Sequence, residues 1–95
     1  MAEKTKWRIA THIRAATTPY GVDFVDVLSG AVLSTDVVGA RIWSLAQQGC
    51  DLPSIAERLC AETNLPKHVA ECCAVELMVG LAGRGLIEAV DPPGT

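Results

Sequence analysis

His68 and Cys72 stand four positions apart, with Cys73 beside them. On a helix that spacing puts His68 and Cys72 on one face. An imidazole near two thiols suggests zinc, but a closed site needs a fourth ligand and local spacing supplies none. Nucleophilic catalysis comes next. His12 falls on an expected strand and His68 at an expected helix start, and no local signature joins either to a cysteine. Asp23 and Asp26 lie three apart on an expected strand, hence on opposite faces, and Glu57 and Glu62 are no better placed for paired acid–base work. The glycines of GLAGRG (80–85) follow a helix, where the dipole has the wrong sign for phosphate, and a phosphate loop needs strand–loop–helix order. No catalytic residue, metal or cofactor is therefore expected.

The totals narrow the remaining classes. Ninety-five residues make one domain near the lower size limit for a self-sufficient core. Eleven acidic residues outnumber eight basic ones, and half of the basic ones (Lys4, Lys6, Arg8, Arg14) fall in the first fourteen positions. Duplex binding needs clustered cations, so no nucleic-acid partner is expected. No apolar run reaches bilayer length and the N-terminus lacks a signal-peptide core, so no membrane association is expected. Cys50, Cys60, Cys72 and Cys73 form no C-x-x-C pair and no disulfide framework, which suits free thiols in a reducing cytosol.

The elements that must position any site read as three strands, then three helices. Trp7, Ile9, Thr11 and Ile13 alternate with polar or small residues, predicting a strand over 7–14 with one buried face. AATTPYG (15–21) reads as a loop. VDFVDVL (22–28) predicts a second strand, and Ser29-Gly30 a tight hairpin to a short third strand at Ala31–Leu33. Thr35 is the expected N-cap of helix one, which Gly49 ends. Asp51 and Pro53 start helix two, whose stripe is Leu52, Ile55, Ala56, Leu59 and Cys60. Helix three should run from Pro66 to Ala82. The expected class is α+β, winged-helix-like, with a three-stranded antiparallel sheet followed by three helices. The domain is expected over 7–88, with flexible tails at 1–6 and 89–95.

Helix three is apolar on more than one side. Ala70, Ala74, Leu77, Met78 and Leu81 suit the core, while Cys72, Val75, Val79 and Ala82 make a second strip. A small domain with a second apolar face implies a partner. An open edge on strand three beside that helix would take an extended peptide, with backbone bonds for affinity and pockets for side chains. A winged-helix DNA-binding regulator and a homodimeric structural module are the rival readings.

The block VDVLSGAVLSTDVVGARIWSLAQQG (25–49), the helix-two pattern Ile55…Leu59, and Leu77-Met78…Leu81…Gly85-Leu86-Ile87-Glu88 carry a resemblance. Together they resemble the pyrroloquinoline quinone biosynthesis protein D (PqqD) family and its wider group, the precursor-peptide recognition elements of ribosomally made, modified peptides. The resemblance implies a non-catalytic, cytoplasmic module that holds the leader segment of a precursor peptide for a modifying enzyme. That enzyme would be a radical S-adenosylmethionine enzyme or, in the lasso-peptide branch, a leader peptidase. It implies a leader strand added to Ala31, Val32, Leu33 and Ser34. On helix three it implies contacts from Val69, Cys72, Cys73, Glu76 and Val79. The expected state is a monomer or weak homodimer. The GARIW stretch (39–43) reads as scaffold, with Gly39 allowing a close approach and Trp43 in the core.

Overall fold

The structure, a computed structural model, describes residues 6–90; positions 1–5 and 91–95, expected as tails, lie outside them. Five strands and three helices follow in the order β1 (Lys6–Ile9), β2 (Ile13–Thr18), β3 (Gly21–Asp26), β4 (Val32–Thr35), α1 (Val37–Gln47), α2 (Leu52–Thr63), α3 (Lys67–Gly83) and β5 (Ile87–Val90). The antiparallel sheet has the order β2-β3-β4, and β1 pairs antiparallel with β5 in a separate two-stranded sheet. The class is α+β, as expected, with three strands in the main sheet and three helices after it.

The first predicted strand is two. Ala10 turns inward, donating its N–H to the Leu86 carbonyl at 3.0 Å and accepting from the Ile13 N–H at 3.0 Å. The odd-numbered alternation runs across that turn, because Ile9 and Ile13 both point into the protein on either side of it, and so the break is hidden. The predicted 15–21 loop is mostly β2, with Ala15 opposite Phe24 and Thr18 opposite Gly21. Ala15, Ala16 and Thr17 are exposed on an edge strand and leave no apolar signal. β5 extends to Val90, and Lys6, Ala89 and Val90 pair within the β1–β5 sheet.

The β3–β4 connection is wider than a two-residue turn. Asp26 bonds Ala31, its N–H donating to the Ala31 carbonyl at 2.8 Å, and the loop spans 27–31. The Asp26 carboxylate accepts from the Leu28 N–H at 2.9 Å and the Ser29 N–H at 3.2 Å. Those donors, Leu28 foremost, hold its carboxyl below the ordinary aspartate range. A depressed carboxyl stabilises the turn at higher pH and loses that contribution as pH falls through the folded-state value. In an acid titration by NMR, the Leu28 and Ser29 amides should move together, with a midpoint below that of an unstructured aspartate. A midpoint at the ordinary value would contradict the turn.

Helix capping differs at one end and agrees at another. Asp36, not Thr35, caps α1: its Oδ1 accepts from the Gly39 N–H at 2.8 Å. Thr35 ends β4, and its hydroxyl both accepts from the Val22 N–H and donates to the Val22 carbonyl, tying strand to strand. Asp51 caps α2 through the Ser54 N–H at 2.9 Å. Asn64, in the left-handed region at φ 60°, ends α2, and α3 starts after Pro66 with no side-chain cap.

Phe24, Ile13, Ile42, Leu45, Ile55, Leu59, Met78 and Leu81 are fully buried where sheet and helices meet. Trp43 belongs to this core, meeting Phe24 edge-on at 5.6 Å. Arg41 on α1 grips Glu62 on α2 through two bonds of 2.7 Å. This packing holds α3 alongside α1 and α2 and fixes its rotation.

Candidate functional site

β4 is one edge of the main sheet, with β2 at the other: it pairs with β3 on one side and with no described strand on the other. The Asp26–Ala31 bond sets which backbone groups are free. In an antiparallel ladder, bonded and non-bonded pairs alternate. With Asp26 bonded to Ala31, the bonded pairs continue as Phe24–Leu33 and Val22–Thr35. The N–H and C=O groups of Val32 and Ser34 therefore point out from the sheet. An extended chain laid along β4 would meet a donor and an acceptor at each of those two residues.

Beside this edge runs a groove of about 410 Å³. Leu33, Val38 and Ile42 from β4 and α1 form one apolar wall, and Leu77 and Leu81 from α3 form the other. Ser34, Thr35, Asp36, Glu76 and Arg84 supply its polar groups, with Cys73, Gly39 and Gly80 completing the lining. An exposed edge strand beside an apolar cleft with a few polar groups is suited to hold an extended peptide. Among the described residues, no group of three or more His, Cys, Asp or Glu side chains could hold a metal ion. None of the described helices is long and apolar enough to cross a membrane.

The structure brings together four of the nine residues singled out from sequence: Leu33 and Ser34 on β4, Cys73 and Glu76 on α3. Val32 sits on the same strand with its backbone outward and its side chain exposed. Ala31 is exposed in the loop before β4. Val69 is half-buried one turn before Cys73 on the same side of α3. Cys72 lies beside Val75 in a separate shallow depression with Glu71 and Glu76, and Val79 is exposed outside the groove. His68 is exposed near the helix start.

Sequence reasoning missed Leu77, Gly80 and Arg84 on α3 and Val38, Gly39 and Ile42 on α1. The four-residue steps Cys73, Leu77, Leu81 and Glu76, Gly80, Arg84 are the signal that could have found the α3 set. Leu77 and Leu81 read as core, and the structure does bury Leu81 and pack half-buried Leu77 against it; that both also reach the groove is what the core reading leaves out, as reading the glycines as a helix terminator leaves out Gly80.

Two solved structures share this fold. One is described as lasso peptide synthetase B1 complexed with the leader peptide; it is 24% identical, with a TM-score of 0.78 over 90% of this chain and 99% of that one. The other, TbiB1 in complex with the TbiA(beta) leader peptide, is 26% identical, with a TM-score of 0.74 over the same shares. No curated protein sequence matches the chain. The family described as coenzyme PQQ synthesis protein D (PqqD) matches residues 20–87, from the β2–β3 turn into β5. Across both walls of the groove and the strand at its edge, the chain belongs to the PqqD family.

Proposed function

We propose that this protein is a non-catalytic module that captures the leader segment of a ribosomally made precursor peptide and presents it to a modifying enzyme. The leader adds as a strand to β4. The observation that carries this is the outward row of Val32 and Ser34 backbone groups along the lip of the groove. Both similar structures hold a leader peptide, which supports the same role for this cleft. Backbone bonds to β4 give affinity with little regard to sequence, and side chains entering the groove between Leu33 and Leu77 give selectivity. Cys72 and Val79 lie outside the groove and leave the peptide to Cys73, Glu76 and, one turn earlier, Val69. The partner enzyme is a radical S-adenosylmethionine enzyme or a lasso leader peptidase. Four free thiols suit the reducing cytosol, where a newly made precursor is met.

The test is a titration of the labelled protein with the leader segment of the precursor encoded beside its gene. On saturation, the Val32 and Ser34 amides should become protected from hydrogen exchange. The Leu33 amide, already facing Phe24, should change little. Absence of binding, or binding that leaves Val32 and Ser34 unprotected, would overturn the proposal.

A further inference from the structure

Two glycines interrupt helices beside the groove, for different reasons. A Cβ on Gly39 would lie 2.8 Å from the Thr35 Cβ, so the fold itself requires glycine there. A Cβ on Gly80 would meet nothing within 4 Å. Gly80 lies inside α3, three residues before its end, with an ordinary helical backbone. A helix-interior glycine disfavours the helix relative to alanine. The folded chain gains no close packing at Gly80 to offset this. Gly80 lines the groove on the α3 wall, next to Leu77 and Leu81 and one turn from Glu76 and Arg84, and Leu33, Val38 and Ile42 line the same groove from β4 and α1.

We infer that Gly80 is a specificity-determining position: its missing side chain leaves a notch that admits one large apolar side chain of the bound peptide. The inference rests on the peptide-capture reading above and adds to it a feature of the peptide. Leu77 and Leu81 beside the notch and Leu33, Val38 and Ile42 on the other wall are aliphatic, and the charged Glu76 and Arg84 stand one helical turn to either side, so the matching residue is a large side chain with a hydrocarbon or aromatic body. Filling the notch would exclude that residue and favour a small one in its place.

The test separates a role in the fold from a role in selection. Gly80→Ala should raise the melting temperature by about 4–8 °C, because a better helix former replaces glycine in open space. A lowered melting temperature would overturn the inference by showing that the fold needs this glycine. Random linear peptides displayed on phage are then selected against the full chain, against Gly80→Leu and against Val32→Pro. The unaltered chain should enrich large apolar residues at one register position. Gly80→Leu should enrich glycine, alanine or serine there. It should also bind the peptide selected by the unaltered chain about tenfold to a hundredfold more weakly, with affinity returning when that one residue is cut to alanine. An unchanged size preference in Gly80→Leu would overturn this inference alone. Peptides enriched equally by Val32→Pro would overturn the strand-addition reading beneath it.

Discussion

Gly21→Ala should destabilise the domain by about 3 kcal/mol or more, a large share of the stability of a small domain. Gly21 opens β3 with φ at 151°, a region that side-chain-bearing residues rarely adopt, and it is buried. A Cβ there falls on the Thr35 carbonyl oxygen and within 2.8 Å of the Asp36 carbonyl carbon. Both neighbours are backbone, so no rotamer change relieves the overlap. The segment that would have to move ends β4 and starts α1. Thr35 is bonded there to Val22 on both sides of its hydroxyl, and Asp36 caps the helix. Displacement would break the strand junction and the cap together. Gly30→Ala is the control. Gly30 also has a positive φ, 81°, but a Cβ there meets nothing within 4 Å, so only the conformational penalty of about 1–2 kcal/mol remains. Urea unfolding of both variants measures the difference. Equal midpoints would contradict the close approach.

Much of the helical half was legible because its signals are local. Asp51, Pro53 and the Ile55, Ala56, Leu59 stripe mark α2 within a few residues, and the structure buries those three side chains. The strand half was harder to read because a strand's identity depends on what lies opposite it. Ala15–Thr18 look like loop until Phe24 and Gly21 are known to face them. Gly21 closes the segment that reads as a loop, and only the approach of Thr35 reveals it as a packing requirement. Capping was misassigned by one residue for a related reason. Thr35 and Asp36 are both good N-caps in isolation. The Thr35 hydroxyl is taken by Val22 across the sheet, which leaves the cap to Asp36.

The edge of the site was legible and its wall was less so. A short strand after a turn and before a helix is readily seen to be terminal in its sheet, and Leu33 and Ser34 do line the groove. Helix three is apolar nearly all round, so its sequence alone does not say which strip meets the core and which lines the cleft. Packing against α1 and α2 decides it: Ala70, Ala74 and Met78 go fully inward, buried Leu81 forms the groove floor on the α3 side, and half-buried Leu77 turns to the groove with Cys73. Cys72, Val75 and Val79 are left on the outer surface. Gly39 reads as scaffold, and it does admit Thr35 closely. It also lines the groove, so one glycine serves both fold and site.

Val32→Pro should lower peptide affinity about a hundredfold or more while leaving the free domain folded. Proline removes one N–H and resists sheet pairing, so its effect depends on where that N–H points. Val32 lies opposite Val25, between the bonded pairs Asp26–Ala31 and Phe24–Leu33, so its N–H faces the open edge and contributes no bond to the β3–β4 ladder. Val32 is 59% exposed, so the substitution removes little core packing. In the complex, a carbonyl of the added strand would face a ring in place of a donor. An unpaired group of that kind costs about 1–3 kcal/mol, and the ring also pushes the strand away from Ser34, whose own bonds weaken with it. Leu33→Pro is the informative contrast, because the Leu33 N–H faces Phe24 and its loss breaks the sheet. Fluorescence polarisation with a labelled leader, beside thermal melts of both variants, distinguishes the cases. Val32→Pro should lose binding and keep its melting temperature, whereas Leu33→Pro should lose both. Full affinity in Val32→Pro would rule out strand addition at β4. A melting temperature as low as that of Leu33→Pro would reverse the assignment of which backbone groups face outward.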